Sequence, residues 1–184
     1  MESTNDTPDE TLMRQTASGD TMAFATLVKR HQDPLLNFFR RLGVYTDAED
    51  LVQETFVRLF NYRDRYRPTA KLTTFLYTIA RHVWIDGLRK VKRQEAFVEE
   101  LKADGPAGSD GGMRLAALRM DAQQALQQLP EKLRSVVVLS LYQGLRYEEI
   151  AGVLDIPVGT VKSRMFNALN QLKEIFDRED RPSH

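Results

Sequence analysis

Apolar residues recur at three- and four-residue spacing over most of the chain, and no stretch of four or more residues alternates strictly between apolar and polar, so the pattern predicts helices and no strands. Asp20-Thr21 can cap a first helix with Phe24, Leu27, Val28, Leu35, Phe38, Phe39 and Leu42 on its inner side, kinked or broken at Pro34 and ended by Gly43. Thr46, followed three residues later by Glu49, has the form of a capping box. The helix it would open has an inner face of Ala48, Leu51, Val52, Thr55, Phe56 and Leu59. Its outer face carries Asp47, Asp50, Gln53, Glu54 and Arg58. Beyond Pro68 a long helix is expected from about Lys71 to Lys92, with Leu72, Phe75, Leu76, Ile79, Ala80, Val83 and Leu88 inward and Arg81, His82, Arg89 and Lys90 outward.

The helical pattern stops at ADGPAGSDGG (103–112), where four glycines and a proline leave nothing to bury. It resumes with helices expected over Ala122–Leu129, Pro130–Leu141, Tyr147–Leu154 and Val158–Phe176, with Gly144 as a stop and Asp155-Ile156-Pro157 as a short turn. The expected fold class is therefore all-α, with two small helical domains joined by a flexible linker and the C-terminal one a helix-turn-helix. The boundaries read from the pattern are 1–93, a linker over 94–118, and 119–184. Such a linker spans about 25–30 Å as a coil and roughly 85 Å when extended, enough to let the halves act apart.

Composition narrows the classes. The chain has 184 residues, 42% hydrophobic and 28% charged, which suits one or two small folded domains, and no apolar run is long enough for a membrane span. Cysteine is absent, and the acidic start MESTNDTPDE has no secretory character, so a reducing, cytoplasmic location is expected. The net charge of +0 would argue against a nucleic-acid partner, but the charges are segregated: Arg63 to Arg93 holds nine bases against two acids. A Debye length of about 8 Å keeps distant acids from cancelling such a segment.

Helix, tight turn, helix over GLRYEEIAGVLDIPVGTVKSRMFNALNQL is the strongest constellation. Ile150, Ala151 and Leu154 would pack on Val161, Met165, Ala168 and Leu172, with Ala151 permitting a close crossing and Ile156 filling the turn. That leaves Thr160, Lys162, Ser163, Arg164, Phe166, Asn167 and Asn170 outside, nearly all able to reach base edges or phosphates. An ordinary helical hairpin with a solvated outer face is the bland alternative. An enzyme finds no support: His31, His82 and His184 have no metal-ligand spacing, there is no GxxxxGK[ST] phosphate loop, and neither catalytic residues, a metal nor a cofactor is expected.

DAEDLVQETFVRLF (Asp47–Phe60) and TTFLYTIARHVWIDGLRK (Thr73–Lys90) resemble region two of bacterial sigma factors, and the helix-turn-helix half resembles region four. Both motif sets in this order, with nothing else in the chain, are similar to the extracytoplasmic-function (ECF) group of the sigma-70 family. The resemblance implies a transcription initiation factor that binds core RNA polymerase and recognises the minus-ten and minus-thirty-five elements of promoter DNA. Asp47, Asp50, Gln53, Glu54 and Arg58 would dock on the clamp helices of the largest-but-one polymerase subunit. Lys71, Thr73, Tyr77, Arg81, His82, Arg89 and Lys90 would serve the minus-ten element, where Phe75 and Trp84 are either stacking platforms or core. Arg146, Thr160, Lys162, Ser163, Arg164, Phe166 and Asn167 would serve the minus-thirty-five element. An anti-sigma factor wedged between the domains is the further partner implied. Two positions depart from the family pattern: His82 stands where Asn is usual, and Arg146 stands where many members have a Ser or Thr cap. The alternative is a stand-alone helix-turn-helix regulator with an N-terminal sensor domain.

Overall fold

The computed structural model describes residues 7–101 and 122–179, and every element among them is helical. Eight helices follow in order: α1 (Asp9–Ala17), α2 (Thr21–Arg41), α3 (Ala48–Asn61), α4 (Leu72–Leu101), α5 (Ala122–Gln128), α6 (Glu131–Val137), α7 (Tyr147–Leu154) and α8 (Val158–Glu179). A 3-10 turn, Arg63–Arg65, follows α3, and a π-helical turn, Val138–Tyr142, continues α6.

The first helix, α1, is an addition to the expected set. Its acidic first turn suits a helix N-terminus, and it buries Leu12, Met13 and Thr16 against α2. Helix α2 starts as the pattern predicts: Asp20 Oδ1 accepts hydrogen bonds from Met22 N at 2.9 Å and Ala23 N at 3.1 Å. It then runs unbroken through Pro34, which removes one backbone hydrogen bond without ending the helix. Leu27 before the proline and Leu35, Phe38 and Phe39 after it are all buried, so packing holds the two parts in line. Gly43, at φ +99, ends α2 with Val44 N bonded to Phe39 O at 3.0 Å, a left-handed turn that a Cβ would strain.

Helix α3 does not use the expected capping box. Asp47 occupies the cap position without a side-chain hydrogen bond, and Glu49 turns away to meet Arg40 NH2 at 2.8 Å. Helix α4 is longer than expected and reaches Leu101, eight residues into the stretch read as linker. Gln94–Leu101, QEAFVEEL, is rich in strong helix formers, and the glycine-rich break comes only after it. The rest of that stretch lies outside the described residues.

Helices α1 to α4 wrap one layer of Leu12, Leu27, Leu35, Phe39, Leu59, Leu72 and Leu76; α5 to α8 enclose Leu129, Val136, Leu139, Ile150, Val161 and Ala168. These two layers are continuous. Helix α7 packs along α4, and the π turn and α5 pack on α2, so a single hydrophobic cluster runs through both halves.

Candidate functional site

The outer face of α3 is built as the periodicity requires. With Ala48, Val52, Thr55, Phe56 and Leu59 buried, Asp47, Asp50, Gln53 and Glu54 are exposed on the opposite side. Arg58 lies at the edge of that face. Its Nε donates to Glu54 Oε1 at 2.7 Å and its NH1 to Asp86 Oδ2 at 2.9 Å. The hydrogen bonds from Glu54 and Asp86 raise its pKa, and Arg58 lowers that of Asp86. Arg58 thus ties α3 to α4 and is only partly available to a partner. Val57, 53% exposed among these carboxylates, was not singled out by sequence reasoning. Its signal is its spacing, three residues from Glu54 and four from Gln53 on the outer side.

Helix α4 presents Arg81 half-buried and His82, Arg89 and Lys90 exposed along one flank. Thr73 is half-buried in a groove shared with Arg41 and Tyr142. Two expected minus-ten residues are engaged elsewhere. Tyr77 is only 4% exposed: its ring packs edge-on to Phe38 at 5.2 Å and its hydroxyl donates to Gln143 Oε1. Burial pushes that hydroxyl's pKa up. Its expected role on a DNA-facing surface is therefore not met here, because the second half covers this side of α4. Lys71 is exposed, but its Nζ lies 3.4 Å from Glu149 Oε1 of α7. Trp84 is buried, so its alternative as a stacking platform gives way to core.

Phe75 belongs to a cleft that sequence reasoning missed. The loop between α3 and α4 brings Tyr62 and Tyr66 beside it, with ring centroids at 5.0 and 5.9 Å, and Arg65, Arg67 and Thr78 complete the walls. Within it, Tyr66 OH and Thr74 Oγ1 are buried without a hydrogen-bond partner. A buried unpaired hydroxyl costs about 1–3 kcal/mol, and both atoms lie sealed in the wall, out of reach of solvent. The only sequence sign was the run Tyr62-Arg63-Asp64-Arg65-Tyr66-Arg67, with two tyrosines among three arginines.

The N-terminus of α4 is held from a distance. Glu10 Oε1 accepts from Leu72 N at 3.0 Å, while Asp9 pairs with Arg30 and with His31, whose Nε2 lies 2.7 Å from Asp9 Oδ2. Burial raises the pKa of Asp9, but the hydrogen bonds and charges of His31 and Arg30 outweigh it and hold the carboxyl below its ordinary value.

In the second half, Asp155 at φ +53 makes the left-handed turn between α7 and α8, and Ile156 N bonds to Ala151 O at 3.1 Å. Val161, Met165 and Ala168 are buried, which places Lys162, Ser163, Phe166, Asn167 and Asn170 in solvent. Thr160 and Arg164 are half-buried at the edges of that face. Phe166 is 66% exposed, and Leu169 one turn on and Phe176 farther along α8 are also exposed, two apolar positions the sequence reading left out. Arg146 is exposed at the start of α7, and its backbone N–H donates to Glu149 Oε2 at 2.8 Å, the half of a capping box that needs no acceptor on the Arg146 side chain. That backbone hydrogen bond, with Lys71, lowers the pKa of Glu149.

Comparison with known proteins places these surfaces in one family. Residues 27–94 match Sigma-70 region 2, and residues 119–172 match Sigma-70, region 4. The chain is 33% identical over 176 residues to the ECF RNA polymerase sigma factor SigW of Bacillus subtilis, covering 88% of this chain and 93% of that protein. It is 31% identical over 185 residues to the ECF RNA polymerase sigma-E factor of Escherichia coli K12, covering 95% of each. Among solved structures, CnrH in complex with the cytosolic domain of CnrY superposes with a TM-score of 0.69 at 29% identity, covering 92% of this chain and 97% of that one. The sigma factor RpoE in complex with the anti-sigma factor NepR from Bartonella quintana gives 0.68 at 26% identity, covering 86% and 98%. An acidic helix face, a basic helix beside an aromatic cleft and a helix-turn-helix, matched in this order, make the chain a member of the sigma-70 family, in its extracytoplasmic-function group.

Proposed function

We propose that the chain carries out initiation through three separate surfaces, each assigned to one partner. As a sigma factor it is a non-enzymatic transcription initiation factor that directs core RNA polymerase to promoters. Asp47, Asp50, Gln53 and Glu54, with Val57 among them, are the polymerase face, where exposed carboxylates offer charge complementarity and Val57 an apolar anchor. Arg81, His82, Arg89 and Lys90 follow the backbone of the minus-ten strand. The cleft of Tyr62, Tyr66, Thr74 and Phe75 takes an unpaired base from it, because stacking needs an aromatic wall. Lys162, Ser163, Phe166 and Asn167 read the minus-thirty-five duplex, with Arg146, Thr160 and Arg164 at its flanks.

The observation that carries this reading is the outer face of α8, where Lys162, Ser163, Phe166 and Asn167 are exposed while Val161, Met165 and Ala168 are buried beneath it. The stand-alone regulator is set aside because a sensor domain has no use for the face of α3, which falls within the matched Sigma-70 region 2. The place of action is the cytoplasm, where polymerase and promoters are found, and no helix among the described residues is long and apolar enough to cross a membrane. An anti-sigma factor is a further partner, as for the RpoE relative. In vitro transcription with core polymerase, followed by mapping of transcript starts, tests the whole reading. New starts that depend on the protein are expected; starts identical to those of core enzyme alone would sink it.

A further inference from the structure

Helix α1 carries none of the surfaces assigned above, yet its first turn reaches the point where the aromatic cleft is assembled. It packs on α2 and touches both the turn Arg63–Arg65 and α4. The cleft is made from two pieces of chain that meet there: Tyr62 and Tyr66 come from the loop after α3, and Phe75 comes from the first turn of α4.

The start of α4 has no cap of its own. Lys71, the residue before Leu72, accepts a hydrogen bond from Phe75 N at 3.3 Å through its carbonyl, but its ammonium side chain holds donors only. Glu10 Oε1 accepts from Leu72 N at 3.0 Å instead, and its charge suits the positive end of a helix of 30 residues. Glu10 is itself anchored. The adjacent Asp9 is paired with Arg30 and with His31 Nε2, the latter at 2.7 Å, so α2 fixes the turn from which Glu10 projects. Burial, and after it the charges of Glu10 and Asp9, raise the pKa of the Tyr66 hydroxyl, in keeping with carboxylates that stand behind the wall of the cleft.

We propose that Glu10 is a positioning residue for base capture: it fixes the first turn of α4 against the loop of Tyr62 and Tyr66, so that Phe75 and the two tyrosine rings keep the spacing that accepts one unpaired base. It acts through Leu72 N and Phe75 and has no need to touch the strand. This inference rests on the reading of the cleft as a base site. Stacking depends on close contact over the ring face, and a gap of about 0.5–1 Å forfeits a quarter to a half of the dispersion well, so a small shift of Phe75 is enough.

The experiment uses the full chain bound to core polymerase and fluorescent non-template strands of a promoter mapped by transcription. Each strand is intact or carries an abasic site at one position of the minus-ten element. The captured position is the one whose abasic penalty disappears in Tyr62→Ala, which removes an exposed ring of the cleft. There, wild type should bind the intact strand about tenfold more tightly than the abasic one, within the worth of one base–aromatic stack. Glu10→Ala should bring that ratio below about threefold by weakening the intact strand, with affinity for the abasic strand unchanged. Glu10→Gln keeps an acceptor oxygen for Leu72 N and should hold the wild-type ratio. Melting temperatures are measured alongside, since a merely structural role would lower stability and weaken both strands alike. The positioning role is overturned by a wild-type ratio in Glu10→Ala, by equal losses on both strands, or by a Glu10→Gln protein as defective as Glu10→Ala. Failure of the base-site reading looks different: Tyr62→Ala would erase no abasic penalty at any position.

Discussion

A single side chain on α8 can read a base or hold a phosphate, and its position around the helix decides which. Lys162 and Asn167 project from the exposed centre of the face, whereas Arg164 is half-buried at its edge. Asn167→Ala should cost about 1–3 kcal/mol on the preferred sequence and relax the selected motif, because the amide can pair with the edge of adenine. Arg164→Ala should weaken all sequences alike and reduce the salt slope by about one. A binding-site selection returning the same motif for wild type and Asn167→Ala would remove that role. On α3, reversing the charges of Asp50 and Glu54 should lower affinity for core polymerase, measured by equilibrium titration, with only a small drop in melting temperature, since neither touches the core and the Glu54–Arg58 pair that is lost is solvent-exposed. Tyr66→Phe should raise stability by up to about 1–3 kcal/mol by deleting an unpaired buried hydroxyl, read as a rise in melting temperature. If stability were unchanged, the hydroxyl would not be orphaned in solution.

At the scale of the element, α1 and α4 form one unit. Asp9 and Glu10 are adjacent, and they fix α1 to α2 through His31 and Arg30 and to the start of α4 through Leu72 N. The Asp9 carboxyl is held below its ordinary value of 3.8, so its contribution is present above that pH and is lost as pH falls through the lower folded value. Asp9→Asn should therefore lower stability by about 1–2 kcal/mol at neutral pH. The difference from wild type should shrink below about pH 3.8 as the wild-type carboxyl takes up its proton, which melting curves across pH can check. A constant difference at every pH would locate the cost in packing and not in charge.

For the whole molecule, the continuous core has an energetic consequence. Arg134 joins the halves, donating to Leu42 O across the interface and to Gln127 Oε1, Gln127 O and Leu129 O within its own half. Its burial lowers its pKa; NH1 and NH2 are hydrogen-bonded, whereas Nε is buried without a partner. Because one cluster spans both halves, thermal unfolding of the wild-type chain should be a single transition. Arg134→Met should cost about 2–3 kcal/mol and split that transition in two, as the halves lose their shared interface. Two transitions already present in wild type would mean that the halves are energetically independent.

The pattern of the sequence by itself determined the local facts. The 3.6-residue period fixed which sides of α2, α3 and α8 are buried, Asp20 fixed a cap, and Gly43 and Gly144 fixed two stops, because each depends on neighbours within about one turn. It also supplied the motifs that led to the family. The tertiary structure alone decided what depends on residues distant in the chain. Glu10 caps a helix that begins 62 residues later, so α1 had no local signal for its role. Glu49 left its expected capping box because Arg40 of another helix was a better partner than a backbone N–H. Pro34 did not break α2 because burial on both sides outweighed one lost hydrogen bond. Tyr77 was expected at a DNA surface and is buried, since periodicity reports one buried face per helix and α4 has two, the second covered by a half that no local pattern brings to it.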